Sequence, residues 1–167
     1  RCINFLMGKV YKVGLIGCGH IAETYFRAHK YFNNFKIIKC ADINKFAAQK
    51  CAKTYKISSV SVNELLKDKE IQVILNLTIP NAHYLIAKKS LLNGKHVYSE
   101  KPLAVSFEDG KELIRIAKRK KLFIGNAPDT FLGGGNQTAR ELLDKNVIGK
   151  VKFGTGIFAY PGIQSYH

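Results

Sequence analysis

No stretch of this chain stays apolar for long. Apolar runs such as Val73-Ile74-Leu75 fall far short of the roughly 20 residues that cross a bilayer, so no membrane partner is expected. The opening Arg1-Cys2-Ile3-Asn4-Phe5-Leu6 has one charge and too little apolar core for a secretory signal. Met7 reads as the natural start, with residues 1–6 as an extension. Acidic residues are scarce, 12 against 27 basic ones, for a net charge of +15. That balance raises nucleic acid as a partner. The lysines are spread along the sequence, however, and only Lys118-Arg119-Lys120-Lys121 clusters, at a predicted helix end where cations suit the helix dipole. No nucleic-acid-binding motif accompanies them, so a solvated basic surface is expected and no nucleic-acid partner. Cys2, Cys18, Cys40 and Cys51 include no C-x-x-C pair, which indicates neither a metal site nor a redox dithiol. Reduced thiols and a cytoplasmic location are expected.

What is present is a regular alternation of strand and helix patterns. Strands are predicted over 11–16, 35–41, 71–77, 96–98, 122–125 and 150–160. Helices are predicted over 21–31, 45–55, 81–92, 107–120 and 136–146, with a short one at Glu64-Leu65-Leu66 capped by Asn63. Ile21, Tyr25 and Ala28 are expected to face inward on the first helix, and Phe46, Ala47, Cys51 and Ala52 on the second. Successive βα units predict an α/β fold, a doubly wound parallel sheet of the Rossmann type. The pattern changes near Ala127-Pro128. We therefore expect a dinucleotide-binding domain over 1–127, with 128–167 as the incomplete start of a second, α+β domain.

The most informative stretch is Val10–Ala22, an apolar strand running into a glycine turn and then a helix. Gly17, Gly19 and Ala22 have the spacing G-x-G-x-x-A, and His20 and Ile21 open the helix. Gly17 permits the tight turn, Gly19 lets backbone approach a pyrophosphate, and Ala22 lets the helix pack close to the strand. The helix N-terminus directs its N–H groups at the phosphates. Asp42 ends the second strand 20 residues after Ala22, where a dinucleotide fold places the acid that accepts from ribose hydroxyls. Its charge disfavours a 2′-phosphate, which makes NAD the expected cofactor and NADP the less favoured one; Lys45 softens that preference. A helix-capping role for Asp42 fits the same position. Thr78-Ile79-Pro80-Asn81-Ala82-His83 and Glu100-Lys101-Pro102 follow later strands, at the carboxyl edge where open parallel sheets bind ligands. His83 also fits a packing role. A lysine at position 101 is suited to orient a hydroxyl or move its proton.

Taken in order, these blocks resemble the Gfo/Idh/MocA family of NAD(P)-dependent oxidoreductases. The resemblance rests on Val13–Ala22, Asp42, Thr78–His83 and Gly94–Ala104, and covers essentially Lys9 onward. It implies that Lys101 lies near the nicotinamide and the substrate hydroxyl. It implies that Glu100 and Pro102 shape that loop, and that Thr78, Pro80, Asn81 and His83 line the cofactor cleft. A sugar or polyol substrate is implied, as is a homo-oligomer in the full-length form. The stretch Gly125–Gly133 departs from better-known members; within it, Asp129 and Thr130 are candidates for the substrate mouth. Family members continue beyond the position of His167, so this chain reads as binding cofactor while incomplete for catalysis. A non-catalytic dinucleotide-binding or regulatory module is the alternative.

Overall fold

In the computed structural model, which describes residues 10–128, 130–157 and 159, six strands form one wholly parallel sheet. The elements are β1 (Tyr11–Ile16), α1 (His20–His29), β2 (Phe35–Ala41), α2 (Lys45–Tyr55), β3 (Ser58–Ser59), α3 (Val62–Lys67), β4 (Val73–Asn76), α4 (Pro80–Leu92), β5 (His96–Ser99), α5 (Phe107–Lys120) and β6 (Ile124–Asn126). The strand order is β3-β2-β1-β4-β5-β6, the doubly wound order in which connections reverse between β1 and β4. Parallel neighbours need a long crossover, and every neighbouring pair, β2–β3 included, is separated in the chain by at least one full helix.

The sheet is buried on both faces because its residues alternate between two helical layers. Val13, Leu15, Leu75 and Leu77 pack with Ala22 and Phe26 of α1 and with Cys51 and Ala52 of α2. Ile16 and Ile74 face the other way, against Leu65 and Leu66 of α3. On that second side Val97 meets Ala87 and Leu91 of α4 and Leu113, Ile116 and Ala117 of α5. Lys95 is also buried, its ammonium donating to the carbonyls of Asp68 and, at 2.8 Å, Ile71. Burial lowers its pKa from the usual lysine value.

Four predicted elements agree to the residue, at 11–16, 35–41, 45–55 and 107–120. The differences have local causes. On α1 the buried residues are Ala22 and Phe26, with Ile21 exposed. On α2 they are Ala48, Cys51 and Ala52, and Phe46 is 75% exposed. Each helix is turned by about one residue from the expected phase, because the small residues at 22, 48 and 52 permit the closest approach to the sheet. Phe26 stacks on Tyr55 with ring centres 3.8 Å apart, joining α1 to α2. The short helix α3 is capped by Ser61, not Asn63: Glu64 N–H donates to the Ser61 hydroxyl while the Glu64 carboxylate accepts the Ser61 N–H at 2.8 Å. Strand β3 is two serines, which have no hydrophobic pattern to read; it forms by backbone pairing with Lys39 and Cys40.

The chain divides into two units after Pro128. The second contains a 3-10 turn at Thr130–Leu132 and α6 at Gly134–Asp144, which has no buried residue. Asn136 and Gln137 tie α6 to the turn by donating to the carbonyls of Thr130 (2.8 Å) and Phe131 (2.7 Å). No strand forms over residues 151–157, where one was expected; no neighbouring strand pairs with the segment among the described residues, and a strand needs a ladder to persist. Among the described residues no helix is long and apolar enough to cross a membrane.

One surface network crosses the sheet edge. Lys39 lies 2.5 Å from Asp68 and 3.5 Å from Glu70. The Lys39 ammonium holds the Asp68 carboxyl below its ordinary 3.8, with help from the Glu70 N–H. The folded state therefore binds fewer protons than the unfolded one as pH falls toward that value. The stabilisation is present above about pH 4 and is lost on acidification through the lowered folded-state pKa. Asp68→Asn should cost about 0.5–1 kcal/mol near neutrality and progressively less below about pH 4, read from urea melts across that range.

Candidate functional site

The carboxyl ends of β1, β2, β4 and β5 bring the predicted loops to one edge of the sheet. Gly17 leaves β1 with φ +102°, and a Cβ there would stand 2.4 Å from the Leu77 carbonyl oxygen. Only glycine meets both conditions. The turn is held by Gly17 N–H donating to Ala41 (3.0 Å) and Leu77 N–H donating to Ile16 (2.8 Å). Gly19 differs: it has an ordinary φ of −78°, and a Cβ there would meet nothing within 4 Å. The space beside it is open, and no side chain caps α1. Ala22 is buried against the sheet. His20 and Ile21 are exposed at the start of α1. The turn thus leaves open space beside the N-terminus of α1.

Asp42 is not the cap of α2; Asn44 is, accepting from Phe46 N–H at 3.0 Å and Ala47 N–H at 3.3 Å. Asp42 instead braces the glycine turn. Its Oδ2 accepts the Cys18 N–H at 2.7 Å and its Oδ1 accepts the Asn44 N–H at 2.8 Å. Each carboxylate oxygen keeps acceptor capacity for a further donor. A cleft of about 470 Å³ beside it is lined by Lys45, Gln49, Ser59 and Ser61 among others.

Asn76 was not anticipated, and it organises the centre of the edge. It is 0% exposed. Its amide donates to the His83 carbonyl (3.0 Å) and the Ser99 hydroxyl (3.3 Å), and its Oδ1 accepts from the Thr78 hydroxyl (2.7 Å). The available signal was a lone polar residue inside the apolar run Val73-Ile74-Leu75-Asn76-Leu77. His83 is 1% exposed, with Nδ1 2.6 Å from the Pro102 carbonyl and Nε2 2.8 Å from the Thr78 carbonyl. It is thus a strut joining two loops, the packing role that its position also allowed. Its helical position places it one turn inside α4, on the face packed toward the sheet. Pro80 and Asn81 are exposed at the first turn of α4, with Pro80 its first residue.

The last loop is braced from three sides. Glu100 accepts from the Tyr25 hydroxyl (2.8 Å) and from the Lys101 N–H (3.1 Å). Asn126 donates to the carbonyls of Ser99 and Glu100, both at 3.0 Å. The Lys101–Pro102 peptide is cis, and Lys101 is exposed. Thr130 is exposed in the 3-10 turn of the second unit, and Asp129 lies outside the described residues. The sulfurs of Cys18, Cys40 and Cys51, which are far apart in the sequence, all lie within 4.8 Å of one another. Sequence distance alone hid this, because the three arrive from a turn, a strand and a helix.

The strand order, the glycine turn at the switch point and the acid ending β2 define a dinucleotide-binding Rossmann domain. The family model described as "Oxidoreductase family, NAD-binding Rossmann fold" matches residues 11–127, and the chain belongs to this Gfo/Idh/MocA family. It is 36% identical over 106 residues to a trans-1,2-dihydrobenzene-1,2-diol dehydrogenase of Xenopus laevis, covering 60% of this chain and 32% of that protein. It is 27% identical over 119 residues to a D-xylose dehydrogenase of Paenarthrobacter nicotinovorans, covering 70% and 31%. A solved biliverdin reductase from Synechocystis, in complex with biliverdin and NADP+, superposes with a TM-score of 0.71 at 30% identity, covering 80% of this chain and 43% of that one. The chain spans between 24% and 47% of the length of the curated relatives it matches. The expected preference for NAD over NADP does not stand, since a relative of this similarity holds NADP+. The physical reason is that two N–H groups already share the Asp42 charge and Lys45 lines the same cleft.

Proposed function

We propose that the chain binds a nicotinamide dinucleotide, NAD or NADP, along the carboxyl edge of its sheet. In its protein it would serve oxidation or reduction at a secondary alcohol carbon of a sugar or polyol. The observation that carries this reading is the open space at Gly19 beside a turn that Gly17 alone can make. The dinucleotide, when bound, supplies the hydride donor or acceptor. The rest falls to the chain's own residues. The turn and the N–H groups at His20 and Ile21 receive the pyrophosphate, and Asp42 accepts from ribose hydroxyls. Thr78, Pro80 and Asn81 wall the cleft, with His83 positioning that wall from behind. Glu100 and Pro102 set the loop that presents Lys101, which moves the proton of the substrate hydroxyl. The names of the xylose and dihydrodiol dehydrogenases support an alcohol substrate.

Titration with NADH, followed by its fluorescence, should saturate in the micromolar to millimolar range. Absence of binding at millimolar cofactor would remove the reading. In the protein assayed with a substrate it turns over, Lys101→Met should lower turnover by about 10²–10⁴-fold, the range for a lost general acid or base. NADH affinity should stay within about twofold, because the change removes no contact of the pyrophosphate cradle. Unchanged turnover would place the proton transfer elsewhere.

A further inference from the structure

Beneath the cofactor turn, three elements each deliver one thiol. Cys18 lies in the turn after β1, Cys40 on β2 and Cys51 on α2, with every pair of sulfurs within 4.8 Å. Cys40 and Cys51 are buried, and Cys18 is half-buried. We propose that Cys18, Cys40 and Cys51 form a binding site for one soft, thiophilic d10 metal ion, of the Cu+ or Zn2+ class.

The geometry favours this over the alternatives. A metal–sulfur distance of about 2.3 Å sets neighbouring thiolates about 3.8–4.0 Å apart in tetrahedral or trigonal coordination, so sulfurs already this close need only small shifts. A disulfide would join two sulfurs and leave the third without a role. Two of the three thiols are also shielded from oxidants, whereas redox-sensing cysteines are accessible. An all-sulfur donor set selects soft ions. The three sulfurs make up a trigonal set, and a tetrahedral ion would take its fourth ligand from outside the cluster. Cys18 provides the entry path from the surface of the turn.

The thiols are only weakly engaged: Cys18 donates to the Ala41 carbonyl at 3.7 Å and Cys40 to the Ala48 carbonyl at 3.5 Å. Ion binding would displace the thiol protons and convert the thiols to ligands. Occupancy would clamp the glycine turn to β2 and α2, since the Cys18 backbone already grips Asp42. It is independent of whether the chain binds a dinucleotide.

The test uses the whole chain, reduced and then freed of reductant under anaerobic conditions. Titration with Cd2+, and separately with Cu+, should produce thiolate-to-metal charge-transfer absorption that ends at one ion per chain. Melting temperature should rise with free ion as mass action requires. Cys18→Ser changes the least buried ligand and threatens folding least. It should weaken binding at least as much as losing a supporting partner of a metal site does, about 10–100-fold. Cys51→Ala should do the same, and Cys2→Ser should leave the titration unchanged. Absence of the absorption band, an endpoint unaffected by Cys18→Ser in a variant that still melts cooperatively, or loss of the band in Cys2→Ser would each overturn the site.

Discussion

Gly17→Ala will destabilise the chain by about 3 kcal/mol or more, with a fall in melting temperature of roughly 6–12 °C. The added methyl faces two penalties. The residue stands at φ +102°, where a side chain is strained, and its Cβ would lie 2.4 Å from the Leu77 oxygen and 2.8 Å from the Thr78 nitrogen. Neither neighbour can yield. Leu77 is held to Ile16 by its N–H, and Thr78 bears both the hydroxyl that Asn76 accepts and the carbonyl that meets His83. Relaxation would therefore spread from the glycine turn into the β4 loop, and NADH affinity should fall with stability. Gly19→Ala is the informative partner. Its Cβ enters open space at an ordinary φ, so the melt should stay within about 0.5 kcal/mol of the parent. Its NADH affinity should nevertheless drop, because the methyl occupies the approach of the pyrophosphate. Equal NADH affinity in Gly19→Ala and the parent would move the phosphates away from this turn. A Gly17→Ala chain that melted like the parent would refute the turn itself.

Asn76→Asp should be nearly as damaging near neutrality and much less so in acid. The side chain keeps its size, but the amide that donates to the His83 carbonyl and the Ser99 hydroxyl becomes a carboxylate with no proton to give. At 0% exposure the charged form is also desolvated. A buried, unpaired acid has its folded-state pKa raised above the unfolded value of about 3.9. The part of the destabilisation that comes from ionisation is therefore absent below that value, where both states are protonated, and only the loss of one of the two donated hydrogen bonds remains. It grows as pH rises from about 4 until the folded-state pKa is passed. Urea melts should show a cost of about 3 kcal/mol near neutrality, most of it recovered near pH 4. A cost independent of pH would mean that the carboxylate has found solvent or a cation. Because Asn76 joins the loop at Thr78 to α4 at His83 and to β5 at Ser99, dinucleotide affinity should follow the same pH dependence.

Much of this site was legible in advance because its signals are local. The glycine spacing, the acid at the end of a strand and the Glu-Lys-Pro segment are each read within a few residues. Helix α5 agrees with the predicted 107–120 to the residue; Ser106 precedes an amphipathic run, and its hydroxyl accepts the Asp109 N–H at 3.1 Å. The misreadings share a cause. Phe46 is apolar and correctly spaced for the core, yet it is exposed, since the rotation of α2 is decided by which small residues can approach β2. For His83 the sequence left a cleft role and a packing role side by side, since the direction of its side chain depends on how α4 docks. Of the strand expected over 150–160, residues 158 and 160 lie outside the described residues; over 150–157 the composition is right, but a composition supplies no partner.

By itself the sequence determined the doubly wound fold, the order of its βα units and the turn that begins the cofactor edge, because periodicity and glycine placement act over one turn or one strand. The tertiary structure alone decided the rest. It made Asn76 and His83 the inner framework of the site and gave Asp42 a second task as brace of the turn. It also gathered Cys18, Cys40 and Cys51 into one cluster. These outcomes depend on contacts between residues far apart in the chain, and spacing along a sequence carries no record of where separate elements meet when the sheet is closed on both faces.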